Sequence, residues 1–286
     1  MRSAAWELLR GVAERVSEHG LTDRAAALSY YGFLSLFPAL IVAVALIGLL
    51  GNYPETYESI RSTLQDAAPG DAVDTIDGAL DDALRSRRTA GSLLGVGLAL
   101  SLYSASSGTG AALRAVSALY GTGERQPFWR GHLNRLTLTI EVGLMLLLAF
   151  TAILVAGPIF SSIADEAGLD ESVEGAISLI RWPIGLLAVV TTALLIYRRG
   201  AGRKTSLRGL LPGAVSASLL WAIASIGFNV YLSNFGSYDA TYGSLGAVIV
   251  LLIWMWLGSL ALLCGAALNV HLEEIGHEEM GQRAAR

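Results

Sequence analysis

One carboxylate stands inside an otherwise apolar run: Glu141, in LTLTIEVGLMLLLAF. An ionisable group in hydrocarbon is costly, and a proton relay or ion pathway is the functional reason to keep one there. Glu141 also lies about one turn from a basic stretch ending at Arg135, so interfacial solvation or pairing with Arg135 or Arg130 is the competing account. A second candidate is the hydroxyl row SLYSASSGTG at 101–110. There Tyr103, Ser104 and Ser107 could line a polar pathway, or could equally satisfy neighbouring helices and their own backbone. Pro38, in YYGFLSLFPAL, removes a backbone hydrogen bond in an uncharged run and predicts a kink. Asn229 and Tyr231 give another apolar run a polar end. These seven residues are the pathway or structural candidates, because polar and helix-breaking groups in lipid need a reason to be there.

Other chemistry is excluded by spacing. RRGAGRKTS at 198–206 resembles a phosphate loop but lacks the GxxxxGK[ST] spacing, and no strand precedes it. A basic loop able to touch anionic head groups explains it better. The histidines His19, His132, His271 and His277 are scattered, and Cys264 is the sole cysteine. Neither a zinc cluster nor an internal disulfide follows. Cys264 reads as a small packing residue, since an apolar setting suppresses its thiolate. Asp71, Asp74, Asp77, Asp81 and Asp82 lie on the solvated face of a helical pattern without EF-hand spacing. A metal-dependent nuclease would need clustered carboxylates or histidines, and none are spaced for it. The expectation is no catalytic residue, no cofactor, no metal, no nucleic-acid partner and no enzymatic activity.

The elements that carry these residues are membrane spans. From 242 to 270 the chain reads YGSLGAVIVLLIWMWLGSLALLCGAALNV, with no charged residue between Asp239 and Glu273. A helix needs about 20 apolar residues to cross a core of about 30 Å. This run is long enough and apolar on every side, unlike a soluble helix. Trp254 and Trp256 lie inside it, so at least one should pack against other helices. The whole chain is 53% hydrophobic and only 15% charged, against about 25% charged in soluble domains. Further spans are expected at 30–50, 90–113, 137–158, 179–197 and 209–232. In the second, Gly91 and Gly95 form a GxxxG pair suited to close helix approach. Arg181 interrupts the start of the fourth, and Pro212 fits the first turn of the fifth.

The fold expected is an all-α integral membrane protein: a six-helix transmembrane bundle with an N-terminal amphipathic helix and a helical extracytoplasmic segment. Residues 1–29 form the N-terminal part, with apolar positions Trp6, Leu9, Val12, Ala13 and Val16 at helical spacing. That helix either lies on the membrane surface or packs on its own loops. Residues 30–270 hold the six spans, and 271–286 form a tail. The acidic stretch 52–89 lies between the first two spans. Basic residues cluster in the N-terminal segment, after span two, after span four (Arg198, Arg199, Arg203, Lys204, Arg208) and in the tail. Basic loops face the cytoplasm, so an even number of spans with both termini inside is expected. Arg85, Arg87 and Arg88 depart locally from that pattern.

Four stretches resemble the YihY/virulence factor BrkB family of bacterial inner-membrane proteins: ALSYYGFLSLFP at 27–38, ALYGTGERQPFW at 118–129, LLPGAVSASLLW at 210–221 and 238–269. The resemblance runs over roughly 20–272 and is strongest over 210–269. It implies six helices with cytoplasmic ends and no settled activity. A ribonuclease BN label once attached to members came to be regarded as an error. Ala267 stands where the family often has Glu, and Ser117 precedes Tyr120 where it often has Asn. A coupling role for that Glu is therefore closed to this chain.

Two functions remain. One is a transporter or permease for a lipid or other amphiphile, with membrane lipids as its surroundings. The other is a non-transporting scaffold or envelope-maintenance protein that binds partners through its loops. Oligomeric state is not implied by either.

Overall fold

The computed structural model describes residues 4–50, 87–122, 128–150, 171–202, 205–234 and 244–284. Among the described residues the regular structure is entirely α-helical. The helices are α1 (Ala4–Glu18), α2 (Leu21–Leu50), α3 (Arg87–Leu119), α4 (Phe128–Phe150), α5 (Glu171–Gly200), α6 (Leu207–Asn234) and α7 (Ser244–Ala284). Among the described residues three stretches are long and apolar enough to cross a membrane: Pro183–Gly200, Leu207–Tyr231 and Val248–Gly276. The first begins beyond Arg181, so that charge falls outside the apolar part of α5. The acidic stretch 52–89, apart from its last three residues, lies outside the described residues, as do 151–158 of the third expected span. The surroundings of Pro38, which falls within α2, also lie outside them.

The chain divides into two compact units. The first comprises Met1–Leu28, Thr109–Asn234 and Trp254–Arg286. Its core is rich in alanine, with Tyr197, Leu21, Leu138, Leu210 and Leu263 as the large buried side chains. In lipid, helices gain little from hiding apolar surface, and association relies on close packing of small residues. Here α5 packs against both α4 and α6. The closest approach joins α6 to α7 at Gly213 and Gly265: a methyl built on either would overlap the other's carbonyl oxygen. The expected GxxxG pair behaves differently. A methyl built on Gly91 or Gly95 would meet nothing among the described residues within 4 Å.

Helix ends follow the local sequence. Gly121, at φ 61°, ends α3. Thr122 N–H reaches Ser117 O at 3.0 Å and Gly121 N–H reaches Ala118 O at 3.3 Å, a Schellman arrangement that needs a left-handed residue. Ser206 caps α6, its Oγ accepting from Gly209 N–H at 3.2 Å. That start places Pro212 in the second turn of α6 rather than the first, where its ring costs a helical hydrogen bond. Both tryptophans of α7 pack as expected. Trp254 Nε1 donates to Ser225 Oγ at 3.1 Å and its ring lies 6.1 Å from that of Trp221. Trp256 Nε1 donates to the Thr22 carbonyl at 3.2 Å.

The second unit comprises Ser29–Gly108 and Phe235–Ile253. Within it Gly108 faces Tyr31, and the Tyr30 and Tyr31 rings meet edge-on at 5.7 Å.

Candidate functional site

The polar groups of the first unit gather in three places. At the α6–α7 crossing, Asn269 is almost fully buried. Its Oδ1 accepts from Gly213 N–H at 2.7 Å and its Nδ2 donates to Leu210 O at 2.9 Å. A single amide thus bridges the backbone on either side of Pro212, where helical pairing is disturbed. Tyr197 of α5, fully buried, donates from Oη to Leu262 O at 2.5 Å. The Tyr120 hydroxyl is also buried; it lies beside Asn269 but outside hydrogen-bond geometry with it. Burial, with Glu273 nearby, pushes its ionisation well above that of an ordinary phenol.

The second place holds Glu141. Among the described residues its partner is Arg199 at the end of α5, Nη2 to Oε1 at 2.5 Å; the side chain of Arg130 lies outside them. Arg199 Nη1 also donates to Asn134 O at 2.8 Å and Thr137 Oγ1 at 2.9 Å. Six residues along a helix of about 3.6 per turn separate Arg135 from Glu141 and put them on different faces, so a neighbouring helix supplies the cation. The Glu141 side chain keeps 42% of its exposure. Glu141→Gln is accordingly expected to cost at most about 1 kcal/mol, read as a small drop in melting temperature of detergent-purified protein.

The third place ties α1 to α7. Arg15 donates to Glu274, lies 3.0 Å from His271 Nδ1 and caps Gly11 O at 3.1 Å. The His271 ring occupies the space a side chain at 11 would need. Val12 and Val16 pack on the core, while Trp6 and Leu9 are exposed. At the far end of α5, the Gly200 carbonyl accepts from Ser117 Oγ at 3.0 Å and Thr122 Oγ1 at 2.9 Å. The serine standing where Asn was expected is therefore a helix cap here.

The remaining sequence candidates do not converge on one spot. Asn229 and Tyr231 are exposed on α6, Tyr231 stacked on Phe228 at 6.3 Å. Tyr103, Ser104 and Ser107 belong to the second unit, where Tyr103 is 75% exposed and the serines are half-buried. Ser107 Oγ donates to Tyr103 O at 3.1 Å. Asn269 and Tyr197 were missed by sequence reasoning; a lone amide inside the apolar run of α7 was the available signal. Among the described residues no group of His, Cys, Asp and Glu could hold a metal ion.

Apolar helices of spanning length, with buried amide and hydroxyl bonds between them among the described residues, make this a membrane protein. The profile of the family described as Virulence factor BrkB matches residues 12–286, and the chain belongs to that family. It is 30% identical to the ribonuclease-like protein YfkH of Bacillus subtilis over 93% of this chain and 95% of that one. It is 27% identical to a UPF0761 membrane protein of Aeromonas salmonicida, covering 92% and 88%, and 25% identical to one of Aliivibrio salmonicida, covering 94% and 84%. No solved structure matches.

Proposed function

We propose that the chain is a six-span permease-like protein of the bacterial cytoplasmic membrane that moves a lipid or another amphiphile. The observation that carries this reading is the polarity of α3 over residues 96–107. Val96, Leu98, Leu100, Leu102 and Tyr103 are exposed, whereas Ser101, Ser104, Ser106 and Ser107 are half-buried. The hydroxyls are thus the more sheltered side chains of a helix whose exposed residues are apolar, which suits hydrocarbon outside and more polar surroundings within. α2, α3 and α4, at 30, 33 and 23 residues, supply the other three spans by length. The basic loops support cytoplasmic termini. The exposed Trp6 and Leu9 support an α1 that rests on the interface.

Purified protein in liposomes tests the reading, with leaflet exchange of a fluorescent phospholipid followed by an impermeant quencher. Exchange above that of protein-free liposomes is expected. Ser104→Leu with Ser107→Leu removes two hydrogen-bonding groups of about 1 kcal/mol each, so roughly a tenfold or greater loss of rate is expected. Exchange no faster than in empty liposomes, across lipids and amphiphilic solutes, would overturn it.

A further inference from the structure

The contact between α1 and α7 turns on one ring nitrogen. A guanidinium carries N–H donors and no acceptor, so His271 Nδ1, 3.0 Å from Arg15 Nη1, can only accept there. The imidazole is therefore neutral in this arrangement, with its proton on Nε2. Its Nε2, Cε1 and Cδ2 fill the place of a methyl on Gly11, so the ring is pressed on the α1 backbone, which holds its orientation. Arg15 is largely buried, while Glu274, to which it also donates, is exposed.

Histidine is the side chain whose charge ordinarily changes between about pH 5 and 8. Protonation turns the Nδ1 lone pair into an N–H aimed at a donor, and sets a second cation against Arg15. A protonated His271 also competes for Glu274, about one turn along its own helix. Either response withdraws a bond between α1 and α7. The other charged groups nearby are differently engaged. On α1, Glu7 and Glu18 are exposed and Glu14 is held by Arg10. At the start of α2, Asp23 is exposed and Arg24 Nε donates to His19 O at 2.9 Å. On α7, Glu273 acts on Tyr120 of α3; the side chains of His277, Glu278 and Glu279 lie outside the described residues.

We propose that Arg15 and His271 form a pH-sensitive latch, which holds α1 against α7 while His271 is neutral and releases it on protonation. The holding contact is present above the histidine range and is lost as pH falls through it. It belongs to the fold whether or not the protein moves a lipid. The test is amide hydrogen exchange of the full chain in nanodiscs, read over α1 and corrected for the intrinsic pH dependence of exchange. From about pH 7.5 to about pH 5.5 the protection of α1 is expected to fall roughly tenfold, the ceiling for a single proton taken up only on release over one pH unit. His271→Asn keeps an acceptor near the place of Nδ1 but takes up no proton, so its α1 should be equally protected at both pH values. Arg15→Gln removes the opposing cation; its α1 should be less protected at the higher pH and lose little more at the lower. His19→Asn with His277→Asn should respond as the wild type does. Equal protection of wild-type α1 at both pH values would overturn the proposal. So would a full fall in folded His271→Asn, or loss of the response in the His19 and His277 double variant, since either moves the effect to another titrating group. Should His271→Asn fail to fold, as judged by its melting curve, Arg15→Gln carries the test, and a fall there as large as the wild type's would overturn the latch.

Discussion

Gly265→Ala is expected to destabilise the protein by at least about 2 kcal/mol, although alanine is the better helix former. The intrinsic preference for Ala over Gly within a helix is about 1 kcal/mol. Against it stands a collision without an escape. The new methyl would overlap the Gly213 carbonyl, lie 2.6 Å from the Tyr197 hydroxyl and 2.7 Å from the Ala217 Cβ. The first and last belong to α6 itself and cannot rotate away, so the helices must part. Overpacking of a close-packed interior costs about 1–3 kcal/mol, and more where the backbone must move. The parting also strains the Tyr197 bond to Leu262 O. Gly91→Ala is the matched control, since open space surrounds that position among the described residues. It is expected to be neutral or slightly stabilising. Melting curves of both variants in one detergent check the contrast; equal behaviour would mean that the α6–α7 contact is not tight.

That contrast shows where sequence reading ends. Uncharged runs of about 20 residues identify spanning helices because hydrocarbon leaves the chain little choice. The 242–270 run, its packed tryptophans and the family follow from that. Which small residues meet does not follow. With 32 glycines in the chain, GxxxG spacing at Gly91 and Gly95 is a local pattern, whereas the real approach of Gly213 to Gly265 joins residues from different helices. The same limit applies to charge. Glu141 was visible as an oddity in its run, but its partner Arg199 sits 58 residues away. Arg15 read only as a basic residue of the N-terminal segment and His271 as one scattered histidine, because their contact joins residues 256 apart on two packed helices. Helix ends are likewise not given by hydropathy. α6 begins at Leu207 and α7 continues to Ala284, past the expected tail boundary at 271. Capping by Ser206 sets the first of these limits.

Asn269 makes the second large prediction. Asn229 attracted attention in the sequence as the polar end of a span, yet it is exposed; Asn269, inside the longest apolar run, is 2% exposed and makes two bonds to another helix's backbone. Both partners flank Pro212, which lacks an N–H and disturbs the helical ladder of α6. Asn269→Leu keeps the branched shape, with bulkier methyl groups, but offers neither donor nor acceptor. It leaves Gly213 N–H and Leu210 O without that side chain, in a setting that excludes water. Each buried group stranded this way costs about 1–3 kcal/mol, and interhelical hydrogen bonds in membranes average somewhat less. A loss of about 2–4 kcal/mol is therefore expected. The proline makes the prediction specific. Adding Pro212→Ala restores an N–H to the ladder, so the double variant should recover part of the loss, and melting curves of the two single variants and the double measure the coupling. Strict additivity of the two changes would mean that the amide stabilises the crossing by packing alone, and not by bridging the gap that proline leaves.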